Sequence, residues 1–138
     1  MPESYALTHG VDHVGLTVSS LDQSVEFFTN GLGWQEVGGR PDYPATFVSD
    51  GNAVLTLWQV ARPDHAIQFD RRANIGLHHL ALRIASSDEL DALYDRIHDW
   101  SGVEVEFAPA LSGKGPKRHF MIYEPGGNRI EFAWDSRK

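Results

Sequence analysis

Two stretches of this chain superimpose on one another. "DHVGLTVSSLD", starting at Asp12, lies over "HHLALRIASSD", starting at His78, with no gap. His13 falls on His79, Val14 on Leu80, Leu16 on Leu82, Val18 on Ile84, Ser20 on Ser86, Asp22 on Asp88 and Phe28 on Tyr94. Such a repeat means two copies of one supersecondary unit, each needing the other to bury its apolar face. Each copy also carries a histidine at the same place, and two histidines related by pseudo-symmetry can converge on one point.

The pattern within each copy predicts the order strand, helix, three strands. Val11 to Val18 alternates, with Val14, Leu16 and Val18 on one face and His13, Gly15 and Thr17 on the other. Ser20 with Gln23 fits a helix-opening box, and Leu21, Val25, Phe28 and Leu32 form a helical stripe that Gly31 and Gly33 end. Trp34 to Val37 reads as a short strand, and Gly38, Gly39, Pro41 and Pro44 as a loop. Thr46 to Ser49 and Ala53 to Gln59 flank an Asp50-Gly51-Asn52 turn. Arg62 to Gly76 is polar and aperiodic, as a linker would be.

The second copy repeats the order. Leu77 to Ile84 is expected as a strand, with His79, Ala81 and Arg83 on one face and His78 pointing to the other. Ser86 with Glu89 opens a helix carrying Leu90, Leu93, Ile97 and Trp100. Val103 to Phe107 follows as a strand, then a loop from Pro109 to Arg118. His119 to Tyr123 and Arg129 to Trp134 form a closing hairpin. The expected fold is α+β, a single domain of two βαβββ modules forming a cupped mixed sheet. Module one spans about residues 9–61, the linker 62–76 and module two about 77–135.

A chain of 138 residues supports one domain with an adequate core. The formal charge of -7 argues against a nucleic-acid-binding surface. With no cysteine, thiolate metal sites and thiol nucleophiles are excluded. "MPESYALTHG" has neither a basic start nor an apolar core, and no apolar run reaches transmembrane length, so a cytoplasmic protein without membrane association is expected.

In the last strand Ile130, Phe132 and Trp134 alternate with Arg129, Glu131 and Ala133, which puts Glu131 on the non-core face, as for His13 and His79. Two imidazoles and a carboxylate from three strands are the parts of a facial metal site with open positions, suited to Fe(II), Mn(II) or a similar ion. Lys114, Lys117 and Arg118 lie in the last long loop, and Arg83 and Arg129 share faces with the ligands. These cations would suit an anionic or enolate-like substrate. Trp58, Phe47 and Met121 are candidates for an apolar pocket, whereas Trp34 and Trp100 read as core.

"DHVGLTVSSLDQSVEFFTNGLGW", "LHHLALRI" and "YEPGGNRIEF" together resemble the vicinal oxygen chelate superfamily, which includes glyoxalase I, extradiol dioxygenases, fosfomycin-resistance transferases, methylmalonyl-CoA epimerase and bleomycin-resistance proteins. The resemblance runs from about Val11 to Trp134. It implies paired modules around a divalent metal (Fe, Mn, Ni or Zn), with ligands from the first and last strand of each module. His13, His79 and Glu131 match ligand positions. The fourth falls on Thr56, or on Leu55 by a strict count from Asn52, and neither is a good ligand. A tyrosine that the dioxygenases and transferases share is Met121 here, with His119 the nearest catalytic substitute. The resemblance therefore implies a metal-dependent enzyme on a small oxygen-chelating substrate, with an extradiol-type dioxygenase first. A glyoxalase-like lyase or isomerase and a metal-free drug- or metabolite-binding protein are the alternatives. Thr56, Trp58, Arg83, Met121, Lys117 and Arg118 are the expected substrate contacts. It also implies a homodimer whose site lies either within one chain or between two.

Overall fold

The computed structural model describes residues 5–138. The first half contains β1 (Val14–Val18), α1 (Leu21–Glu26), β2 (Gln35–Arg40), β3 (Ala45–Ser49) and β4 (Val54–Gln59). The second contains β5 (Leu80–Arg83), α2 (Ser87–Ile97), β6 (Glu104–Leu111), β7 (Arg118–Tyr123) and β8 (Arg129–Trp134). They form two four-stranded mixed sheets, ordered β1-β4-β3-β2 and β5-β8-β7-β6. The opening strand runs parallel to the closing strand in each, and the remaining pairs are antiparallel.

The local signals act as their chemistry requires. Ser20 Oγ accepts from the Gln23 amide and Ser86 Oγ from the Glu89 amide, satisfying donors that each helix start leaves free. After α1 the chain widens into a π-helical turn at Phe27–Gly31, and the consecutive rings of Phe27 and Phe28 are both fully buried. One core takes side chains from both halves, including Leu16, Val18, Leu55 and Leu57 from the first and Leu90, Ile97, Phe120, Ile130 and Phe132 from the second.

Some boundaries differ from the expected ones. β1 and β5 begin only at Val14 and Leu80, so His13 and His79 stand just before their strands. β2 continues through Gly38 and Gly39, read above as loop, because a bulge at Val37 resets its register. A side chain at Gly39 would put its Cβ 2.8 Å from the Ala45 carbonyl oxygen, so the two strands approach this closely only with glycine. β6 runs past Pro109 to Leu111, with two register shifts against β7. An edge strand tolerates proline, and the loop shrinks to residues 112–117.

The halves are stapled by the turn before β8. Glu124 is 1 % exposed, and its carboxylate accepts from Ser24 Oγ (2.7 Å), the Gly126 amide (2.8 Å), and the amide and side chain of Asn128 (3.0 and 2.9 Å). Asn128 Nδ2 also donates to the Thr17 carbonyl, and the Ser19 amide to that of Gly126. A Cβ at Gly126 would lie 2.6 Å from Val18 Cβ and 2.8 Å from Glu124 Oε2. Gly126→Ala is therefore expected to cost roughly 1–3 kcal/mol of stability by overpacking this junction, measured as a lower urea midpoint at unchanged slope. A wild-type midpoint would show that the junction yields freely.

Candidate functional site

Parallel pairing of first and last strands brings residues far apart in sequence side by side. Gly15 pairs with Thr56 in the first sheet, as Ala81 pairs with Glu131 in the second. Since Gly15 and Ala81 are repeat equivalents, Thr56 rather than Leu55 occupies the counterpart of Glu131. The two positions have opposite surroundings.

Glu131 is 4 % exposed, and three groups converge on its carboxylate. His79 Nε2 lies 3.1 Å from Oε1, while His119 Nδ1 and Lys117 Nζ lie 2.5 and 3.2 Å from Oε2. Burial alone would push this carboxyl upward. Hydrogen bonds and charge from His119 and Lys117 outweigh that, and hold it below the ordinary glutamate range. β7 supplies His119 and, opposite Glu131 in register, the buried Met121. The His119 ring packs on Phe107, with centroids 4.8 Å apart.

At Thr56 the surroundings are aromatic. Its hydroxyl accepts from Trp58 Nε1 at 2.8 Å, and the Trp58 ring meets Tyr43 and Phe47 at centroid distances of 4.7 and 5.9 Å. His13 stands apart from the Glu131 cluster: its Nδ1 lies 2.7 Å from Asp12 Oδ2, and its side chain is half exposed.

The remaining candidates divide. Lys117 joins the cluster, but Arg118, one residue on along β7, forms a two-pronged pair with Asp91 and donates to Ser87 of α2. Lys114 and Arg83 are exposed. Arg129, two residues before Glu131, is 7 % exposed and pairs with Glu106 through Nε (2.8 Å) and NH2 (2.7 Å). Arg71 of the connecting stretch reaches the same carboxylate at 3.7 Å and Tyr123 Oη at 3.4 Å.

Sequence reasoning gave His78 no place here, because alternation aimed it away from His79. Both residues precede β5, so alternation does not govern them, and the rings meet edge to face with Nδ1 atoms 2.8 Å apart. Arg129 NH1 stands 3.2 Å from the same His78 nitrogen. Lost hydration and the charges of Arg129, His79 and Arg71 push the pKa of the exposed His78 down, with Glu106 opposing them. The signal that could have revealed this was the His78-His79 doublet beside Arg129 in a parallel pair.

A groove of about 910 Å³ lies elsewhere, between β1, the 124–129 turn and the connecting stretch, with Tyr123 and Arg129 among its walls. Glu131 does not line it.

Among the described residues no group of three or more His, Cys, Asp or Glu is arranged to hold a metal ion. What is present is an imidazole Nε2 beside a buried carboxylate oxygen, donor types that Fe(II), Mn(II) and Zn(II) take. By donor type those two groups suit a divalent ion, and a complete protein ligand set would need at least one more donor.

The Glu106–Arg129 pair gives a pH-dependent expectation. The Arg129 hydrogen bonds hold the Glu106 carboxyl below its usual range against the opposing effect of burial. A depressed acid stabilises the fold above its unfolded pKa and loses that contribution as pH falls through the folded one. Glu106→Gln, which leaves Arg129 buried without its counter-charge, is expected to cost roughly 3 kcal/mol near pH 7. The gap to wild type should close as pH falls below the ordinary carboxylate range. Denaturant titrations from pH 7 to 3 measure it, and a gap that is constant with pH would remove the ion pair as its cause.

Comparison with known proteins agrees with this architecture. Residues 10–132 match the model of the Glyoxalase/Bleomycin resistance protein/Dioxygenase superfamily. The chain is 32 % identical over 143 aligned residues to a 2-epi-5-epi-valiolone epimerase from Actinomyces sp., covering 88 % of this chain and 76 % of that protein. It is 28 % identical over 130 to the catechol-2,3-dioxygenase of Bacillus subtilis (strain 168), covering 92 % of this chain but only 43 % of that one. Among solved structures, a mutant of the fosfomycin resistance protein FosX from Listeria monocytogenes, complexed with Mn(II) and 1S,2S-dihydroxypropylphosphonic acid, superimposes with a TM-score of 0.74. That match covers 94 % of this chain and 95 % of the other at 20 % identity, a likeness of fold alone. With its paired modules and a family model spanning nearly its whole length, the chain belongs to the glyoxalase/bleomycin resistance protein/dioxygenase superfamily.

Proposed function

We propose that the protein is a divalent-metal-dependent enzyme acting on a small substrate with two neighbouring oxygens, at a site shared between two protomers of a homodimer. The observation that carries this reading is the buried Glu131 carboxylate held between His79 and His119. A buried carboxylate costs several kcal/mol of lost hydration unless cations or donors face it. Here its first oxygen stands 3.1 Å from an imidazole nitrogen, and the two are donor types that a divalent ion takes. In this reading His79 and Glu131 hold the ion, and His13, turned away from its own chain's cluster, completes the set on the partner's. The bound ion supplies Lewis acidity and a template for two substrate oxygens.

The chain's own groups then have distinct duties. His119 is the group able to hold or move a proton beside the substrate. Lys117 supplies positive charge at the rim, and Tyr43, Phe47 and Trp58 offer an apolar wall to the rest of the substrate. Extradiol-type oxygenation of an aromatic vicinal diol is the first reaction to test, because three protein ligands leave coordination positions open and the wall is aromatic. Epimerisation is the second, favoured by the named activity of the 32 %-identical relative and by the place of His119. Oxygen uptake with catechols separates the first from solvent-deuterium incorporation into a polyol ketone in the second. No helix among the described residues is long and apolar enough to cross a membrane, and a cytoplasmic location completes the proposal.

Two measurements test the site. Glu131→Ala, His79→Ala and His13→Ala are each expected to weaken Mn(II) or Fe(II) binding by more than the roughly 10- to 100-fold that loss of a supporting partner costs. Mixed His13→Ala and Glu131→Ala chains should regain one intact centre per mixed dimer. Wild-type affinity in Glu131→Ala would leave the metal-free binding reading in possession, and a monomer by sedimentation would remove sharing.

Lys117 gives a separate expectation. Its ammonium occupies an oxygen of the carboxylate that would receive the ion, so cation and ion compete. Lys117→Met is expected to tighten Mn(II) binding roughly two- to five-fold, the scale of a partly exposed ion pair. Calorimetry showing unchanged or weaker binding would place Lys117 outside that competition.

A further inference from the structure

We infer that His78 is a positioning residue for His79: held as an acceptor by Arg129, it takes a hydrogen bond from His79 Nδ1 and so commits His79 Nε2 to face Glu131. The inference rests on the reading of His79 as a metal ligand and adds a residue to it.

The argument follows from which atoms can donate. An arginine guanidinium has only donors, and Arg129 NH1 lies 3.2 Å from His78 Nδ1. That nitrogen must therefore present its lone pair, and the hydrogen of a neutral His78 ring resides on Nε2. His79 Nδ1 lies 2.8 Å from the same nitrogen, whose single lone pair the two donors share, so the hydrogen between the two rings belongs to His79 Nδ1. His79 Nε2, on the far side of its ring, lies 3.1 Å from Glu131 Oε1. A ring fixed through one nitrogen has its other nitrogen oriented, and a metal-ligating imidazole normally gains its alignment and basicity this way.

Arg129 is itself immobilised. It is 7 % exposed and gripped at Nε and NH2 by both oxygens of Glu106, which leaves NH1 to reach His78. The line of contacts thus runs from Glu106 on β6 through Arg129 on β8 to His78 and His79 at the entrance to β5. Parallel pairing of β5 and β8 makes it possible, because Leu80 lies opposite Ile130 and the residues just before each come together. The repeat equivalent of His78 is Asp12, whose carboxylate lies 2.7 Å from Nδ1 of His13. Each proposed ligand histidine therefore has its Nδ1 engaged by the residue immediately before it, through different chemistry.

The test compares three variants with wild type for binding of Zn(II) alone, by competition with a chromophoric chelator, and follows imidazole N–H resonances of the Zn(II)-loaded, 15N-labelled protein. His78→Leu removes the acceptor and is expected to weaken Zn(II) binding at least ten-fold. In wild type the His79 Nδ1–H signal should be slow to exchange with solvent, and in His78→Leu it should exchange rapidly. His78→Asn, whose side-chain oxygen can stand where the ring nitrogen stood, should restore both affinity and protection to near wild type. His79→Ala separates the premises: if it binds Zn(II) as wild type does, the metal reading fails. If it loses binding while His78→Leu keeps both affinity and the protected N–H, positioning by His78 is overturned. Loss in His78→Leu without recovery in His78→Asn would overturn it as well, since a packing role would account for that pattern.

Discussion

In each half the closing strand returns beside the opening one and runs the same way, and the rest of the molecule is arranged around that pairing. A parallel pair needs a long crossover, which the helix and two intervening strands provide. The return sets the entrance of β5 beside the start of β8, so that His78 and His79 meet Arg129 and Glu131. None of these contacts could form between antiparallel neighbours joined by a tight turn, which would pair the end of one strand with the start of the next. The chemistry of the second half is thus a consequence of topology, carried by four side chains at one edge of a small sheet.

Burying charge there imposes a second requirement. Glu131 and Arg129 sit two residues apart on one strand face at 4 % and 7 % exposure, and each needs counter-charges. Arg129 takes both oxygens of Glu106, leaving Glu131 to be served by His79, His119 and Lys117. This division gives each buried charge its own counter-charges, the Glu106 carboxylate for Arg129 and two imidazoles with an ammonium for Glu131. A carboxylate paired with a rigid guanidinium would be a structural element. One faced by two imidazoles and a lysine lacks the two-pronged grip that a guanidinium gives.

Much of this was legible in the sequence because it depends on alternation and capping, which are local. The alternating Leu16 and Val18, and Ile130 and Phe132, are core as the period of two requires, and both serine caps accept the amides expected of them. Glycine and proline misled where they stood in edge strands: Gly38, Gly39 and Pro109 read as breakers, yet bulges absorb them. His78 was misplaced because strand alternation was extended past the true start of β5. The choice between Thr56 and Leu55 needed the register, which counting from a turn cannot supply. Lys117 and Arg118, adjacent in one loop by sequence, part company because β7 begins at Arg118 and alternation then sends the arginine to α2.

The repeat has diverged in a particular direction. At the position where the second half has a buried carboxylate, the first has Thr56, whose hydroxyl is already engaged by Trp58 with Tyr43 and Phe47 close by. Where the second half has Ala81 on the opening strand, the first has Gly15, and a Cβ there would come within 3.2 Å of Thr56 Oγ1. The first sheet has therefore exchanged charge for aromatic surface while keeping one imidazole, His13, at its entrance. A site made from two such halves has polar chemistry on one wall and an apolar surface on the other. Ligand sites commonly combine an apolar wall with a few placed polar groups, and the proposed site would draw on both halves for that combination. Neither half alone offers it. The division of labour follows from the same pseudo-symmetry that the repeated histidines first disclosed.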